Sequence, residues 1–129
     1  RDGGPTPPIG ISVPQAMYDD FVEICKPVKN INPDFPFEVK VAKPRKRPTS
    51  TGGTDASVFA VEGVPTYGFT TDDIKGYNFS YGEIWHTERD LYTKNIPEYQ
   101  EHTAVVTAIV ALGVANLDKQ LSREGMYKE

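Results

Sequence analysis

Met17, Phe21, Ile24 and Val28 recur three and four positions apart, the spacing that lines one face of an α-helix. Pro14 suits the first turn of that helix, where a missing N–H costs nothing. Pro27 should end it near Lys26, because a proline removes a hydrogen bond and crowds the preceding turn. The pattern therefore predicts a helix near 14–26. Residues 30–36 carry turn chemistry, and Phe37-Glu38-Val39-Lys40-Val41 alternates as a strand should. A further strand is open at Ile9 to Val13. Lys43 to Gly53 reads as a long loop, delivering the chain to a helix over 55–62. There Gly52 and Gly53 permit unusual backbone angles, Thr54 or Asp55 can cap, and Gly63 can stop the helix. Val64 to Phe69 then reads as a short strand, with Pro65 tolerated close to its start.

The last helix is expected over 96–121, opened by Ile96-Pro97 with Asn95 as cap and with Ser122 to Gly125 past its end. Its middle, Ala104 to Leu117, is nearly all apolar. That stretch is shorter than the roughly 20 residues a bilayer span needs, so the helix should be buried within protein. Such a helix needs cover from several neighbours, more than the other short helices supply. A larger parent protein or self-association is the expected source of the missing cover. Together these elements predict an α/β piece, a partial three-layer sandwich with a mainly parallel sheet.

Composition narrows the class. A chain of 129 residues, 38% hydrophobic and 25% charged, is one globular domain's worth, so residues 1–129 are read as one unit with no demand for disorder or a membrane. The net charge of −4 and the pI near 5.2 argue against a nucleic-acid partner, which would need a basic footprint. Lys40, Lys43, Arg45, Lys46 and Arg47 form a local basic run, broken by Pro44 and Pro48 and without interleaved aromatics. It reads as a solvated loop. Cys25 is the one cysteine; it cannot form an internal disulfide, leaves the compartment open, and reads as a small buried hydrophobe rather than a nucleophile. Arg1 to Pro5 has no apolar run and no initiating methionine, so removal of a signal peptide or of an upstream domain is expected.

The chemical inventory is small. The sequence has no nucleotide-binding glycine loop, no HExxH helix and no elbow serine, and its two histidines are His86 and His102. His102 lies inside the last helix and reads as a surface or packing histidine. His86 follows the Val64–Phe69 strand on a loop, where open α/β sheets gather ligand groups beyond the carboxyl ends of parallel strands. Taken alone it suits a hydrogen-bonded loop histidine better than a metal ligand. Its neighbours change the balance: Glu83, Glu88 and Asp90 can orient an imidazole, and Trp85 can shield it from water. Tyr77, Phe79, Tyr81 and Trp85 either wall a pocket beside His86 or form a small packing cluster under a long loop.

Over roughly residues 50–121, GGTDASVF, then AVEGVPTYGF, then WHTERDLY and a long apolar helix resemble the C-terminal portion of the two-zinc exopeptidases related to bacterial leucyl aminopeptidase, plasma glutamate carboxypeptidase and glutaminyl cyclase. In that family a Ser/Gly-(Ser/Thr)-Asp motif starts a helix, Gly-(Ile/Val)-Pro follows as a strand, and a Tyr/Trp-His-Thr motif supplies the last zinc ligand before the final helix. The resemblance implies that His86 is a zinc ligand and that Asp55 is an active-site neighbour but no ligand. It also implies that zinc-bound hydroxide attacks a peptide carbonyl in the intact enzyme, with a periplasmic or secreted location. Ala56 departs from the pattern, standing where many relatives carry a second histidine.

The family's other ligands, a His, a bridging Asp, a Glu beside the general-base Glu and a second Asp, precede the matched segment. Arg1-Asp2-Gly3-Gly4 aligns just beyond the last acidic ligand, so Asp2 takes no role. One imidazole cannot hold zinc at useful affinity, since a catalytic site normally has three protein ligands. The 129 residues alone are therefore expected to be inert, with no tightly bound zinc. Two other readings stay open: a catalytically dead peptidase-like binding domain, and an unrelated α/β interaction module in which His86 is structural.

Overall fold

The computed structural model describes residues 6–128; the Arg1-Asp2-Gly3-Gly4 alignment lies outside the described residues. Its order is β1 (Pro8–Val13), a short 3-10 turn, α1 (Tyr18–Ile31), β2 (Glu38–Val41), α2 (Ala56–Val61), β3 (Phe69–Thr71), α3 (Tyr81–Ile84), a second 3-10 turn and α4 (Pro97–Ala115). The chain is mixed α/β, as the hydrophobic pattern predicted.

The strand left open in the sequence is the central one. In the order β2-β1-β3, β1 pairs parallel with β2 and antiparallel with β3. The sheet is thus mixed, which corrects the mainly parallel expectation. Gly10 is what allows β2 to come so close: a Cβ there would fall 2.6 Å from the Glu38 carbonyl oxygen. Pro8 sits at the first position of β1, where a missing donor is tolerated, next to a register shift between Pro8 and Gly10.

α1 follows β1 and leads to the parallel β2, the usual crossover unit. Its buried Phe21, Cys25 and Val28, with Met17 of the turn before it, meet Ile11 and Val13 of β1, Phe37, and Val106 of α4 in one core. Contrary to expectation, Pro27 does not end this helix. It lies on the exposed side and the helix runs on to Ile31, closed by the Asn32 N–H bonding to Val28 O. Val28, fully buried one residue beyond the proline, holds that last turn to the core with about 1.5–3 kcal/mol of burial, comparable with the roughly 3 kcal/mol that an interior proline costs.

α4 crosses α1 and also touches β1. It stops at Ala115, six residues before the expected 121, yet Leu117 and Leu121 still pack against the core, and Lys119 reaches back to Asp20 of α1 at 2.9 Å. α1 and α4 are the helices packed most closely on the strands among the described residues. Ala104, Ala108, Ala111 and Leu112 of α4 stay exposed.

The expected Val64–Phe69 strand also shifts. Only Phe69 to Thr71 joins the sheet. Upstream, the Val64 N–H bonds to Phe59 O at the end of α2 and the Thr66 carbonyl accepts from Arg45, so the backbone groups a ladder would use are satisfied elsewhere. α2 itself lies as predicted. Asp55 is its N-cap by position, without a side-chain capping bond, and Gly63 at φ 73 follows its end. At α4 the N-cap is Ile96 rather than Asn95, whose side-chain amide bonds to Gln100 instead. No described helix is long and apolar enough to cross a membrane.

Candidate functional site

The two histidines meet opposite fates. His102 is 1% exposed, stacked on Phe35 at 4.3 Å between ring centroids, and its Nε2–H donates to the Pro8 carbonyl at 3.0 Å. Burial holds its pKa below the ordinary histidine range. It is the packing histidine the sequence allowed for, and it ties the start of the central strand to α4.

His86 is exposed, just past α3. The Thr87 N–H bonds back to Ile84 O at 3.0 Å across Trp85 (φ −60, ψ 118) and His86 (φ 56). These are the angles of a type II turn, whose third residue needs positive φ and is ordinarily glycine or asparagine. An imidazole is held there instead. Thr87 secures the turn, its hydroxyl donating to the carbonyls of Glu83 and Ile84, both at 3.0 Å. The Trp85 indole lies against one face of the imidazole, 4.3 Å between centroids and 22° from parallel, and Tyr81 stacks on Trp85 from beyond at 6.2 Å. Among the described residues the ring nitrogens of His86 take no hydrogen bond. Glu83, Glu88 and Asp90, expected to orient it, form no bond to it.

The proposed aromatic wall therefore divides. Tyr81, Trp85 and His86 form one stacked row. Tyr77 belongs to a second cluster with Tyr99, at 5.3 Å, and donates its hydroxyl to Glu98, which also pairs with Lys75. Phe79 lies under the Lys94 ammonium at 5.7 Å. The second cluster is built on Asp73, whose carboxylate accepts from the Tyr99 hydroxyl at 2.7 Å and from the Tyr77 and Asn78 N–H groups. That bond from Tyr99 is the main reason the Asp73 carboxyl lies below the usual range, and burial pushes the Tyr99 hydroxyl up to about 12. The long loop after β3 is thereby fastened to the first turn of α4.

Asp55 stands exposed at the head of α2, between Thr54 and Ala56. These two line a cavity of about 370 Å³ together with Arg45, Lys46, Ser57 and Tyr67, among others. None of His86, Tyr77, Phe79, Tyr81 and Trp85 lines that cavity. The basic loop is not merely solvated, as the sequence had suggested. Arg45 donates to Thr66 O and Oγ1, and Arg47 to Val61 O, so two guanidinium groups fasten the loop to α2 and to the segment before β3. The proline spacing within the run was the available signal, since it forces an extended path across the molecule rather than a free helical face.

A zinc ion needs several donors. The described residues contain no group of three or more His, Cys, Asp and Glu side chains able to hold a metal. Comparison with family models, with curated proteins and with solved structures finds no match.

Proposed function

We propose that this chain is the C-terminal part of a zinc-dependent exopeptidase, contributing one metal-binding imidazole, His86, to a site whose other donors and general base belong to preceding polypeptide. The turn at His86 carries the reading. A non-glycine residue at φ 56 costs about 1–2 kcal/mol against an ordinary conformation, and such local strain gathers at working sites. The cost is borne by a histidine whose nitrogens stay unbonded among the described residues and whose ring plane is fixed by Trp85, an arrangement suited to an imidazole awaiting a ligand. A structural histidine would resemble His102, buried and bonded to main-chain oxygen.

The roles follow from position. His86 is the donor; Trp85 orients it and limits water on one face; Tyr81 extends the aromatic row toward a peptide substrate; Asp55 is an active-site neighbour at the head of α2. The 129 residues alone are inert on this reading. Two measurements test it. The coding sequence immediately upstream should specify a His-x-Asp pair, adjacent glutamates and a further Asp; an unrelated preceding domain overturns the assignment, and replacement of those residues makes the protein a dead peptidase-like binder. Zinc competition against a chromophoric chelator should find no site on this chain tighter than about 1 μM, and a tighter one-to-one site would refute the shared cage.

A further inference from the structure

The carboxyl ends of the parallel strands β1 and β2 open into a cavity of about 170 Å³, which adjoins a larger one of about 370 Å³ and shares Arg45, Thr66, Tyr67 and Gly68 with it. The smaller is floored by Ser12 and Pro14 at the end of β1 and by Ala42 and Lys43 just past β2. This is the edge at which open α/β sheets take ligands. Although the chain carries a net charge of −4, Lys43, Arg45 and Lys46 line the two cavities, and among the described residues no aspartate or glutamate does.

The cationic wall is built rather than loose. Arg45 is clamped through its main chain, its N–H bonding to Met126 O and its carbonyl accepting from Lys128 N–H. Its guanidinium spends Nη2 on Thr66 and lies 5.5 Å over the Tyr127 ring. A guanidinium has five N–H groups, so Nε and Nη1 stay available at a fixed place. Lys46 forms no ion pair among the described residues. Ser57 accepts from the Gly52 N–H at 2.9 Å, which leaves its own proton to donate. Among the described residues the Tyr67 hydroxyl is buried with no partner, a polar group that ordinarily finds one. Pro48, Ala56 and Ala60 supply an apolar side.

From this geometry we propose that the cleft binds a small molecule through an oxyanion, a phosphate or a carboxylate, seated between Arg45 and Lys46 with its carbon part against Pro48, Ala56 and Ala60. The volume fits such a ligand, since small-molecule sites begin at about 300 Å³. The proposal uses neither His86 nor a metal, so it stands or falls apart from the exopeptidase reading.

The test is an amide-resolved NMR titration of the full chain at constant ionic strength, with inorganic phosphate in one arm and succinate in the other. Saturable shifts confined to the amides of Ser57, Thr66 and Gly68 are expected in at least one arm, and the tighter arm identifies the oxyanion. Lys46→Gln should weaken that binding about tenfold, the usual worth of one charge-assisted contact, while Lys29→Gln on α1 leaves it unchanged. Lys46 makes no contact that the fold depends on, so the rest of the spectrum should not move. Linear shifts spread over every lysine-bearing segment, saturation in neither arm, or equal effects of the two substitutions would overturn the proposal.

Discussion

Gly113 of α4 faces Ile24 of α1 at close quarters, and replacing it with alanine sets two opposing effects against each other. Alanine is about 1 kcal/mol better than glycine in a helix interior, so an open site would gain stability. A Cβ at 113, however, would lie 2.5 Å from Ile24 Cγ2, 2.8 Å from Cγ1 and 3.1 Å from Cβ. Isoleucine in a helix has essentially one χ1 rotamer, and its Cβ moves only with the backbone, so the clash is relieved by parting the helices. Overpacking of this kind costs about 1–3 kcal/mol. With three carbons too close, the upper part of that range applies, and Gly113→Ala should destabilise the chain by about 1–2 kcal/mol net, or about 3–6 °C in Tm for a domain of this size. The second half of the experiment is Ile24→Ala, which removes both γ carbons. In that background Gly113→Ala should turn neutral or stabilising by up to about 1 kcal/mol, a coupling that a double-mutant cycle resolves. Urea unfolding followed by circular dichroism at 222 nm measures all four proteins. A stabilising Gly113→Ala in the parent, or one that has the same effect in both backgrounds, would refute the close approach.

Further predictions test the site and the surface. His86→Gly should be more stable than His86→Ala by about 1 kcal/mol, because only the glycine relieves the positive φ; the same urea assay with the order reversed would remove the turn argument. His102 is kept below the ordinary histidine range by burial, so its contribution is complete above the unfolded value near 6.5 and is lost as pH falls from there toward the lowered native value. His102→Gln should lower stability at neutral pH and flatten the slope in that window, and an unchanged slope would show that another group is responsible. Val58, Phe59 and Leu112 are each more than half exposed, so sedimentation should show self-association between about 10 μM and 1 mM, reduced by Leu112→Gln; a strictly monomeric boundary throughout is the contrary result.

Much of the fold was legible because periodicity and capping chemistry are local. The face of α1 formed by Met17, Phe21, Ile24 and Val28 follows from spacing alone, as do α2 between Asp55 and Gly63 and the start of α4 at Pro97. What stayed hidden depends on distant partners. β1 is central although a proline and a glycine interrupt it, because Gly10 answers to the Glu38 carbonyl 28 positions on. Pro27 reads as a stop until the burial of Val28 is known. The direction of β3 depends on how the basic loop and α2 deliver the chain, and no pattern within Phe69 to Thr71 encodes that. At the site, the exposed His86 and the packed His102 could be told apart only in outline. The role of Arg45 was missed because a guanidinium that bonds to a carbonyl 21 residues away looks, in sequence, like one that faces water.

The two histidines also bear on how this chain could be changed without losing its fold. His102 is joined to β1, Phe35 and the core, so its loss would be felt through the central strand. Among the described residues His86 holds its own turn and the ring of Trp85 and no more, and the fold would be no weaker, and by the turn geometry somewhat stronger, with glycine there. A residue that costs stability and contributes little packing has no folding role to explain it. On stability alone, apart from motif similarity, His86 comes first among the candidates, then the Arg45 and Lys46 cleft, whose Arg45 also serves the fold through Thr66 and the C-terminal segment. It follows that His86→Gly should leave the stability of the chain unchanged or raised, whereas substitutions at Arg45 should lower stability together with any oxyanion binding in the cleft.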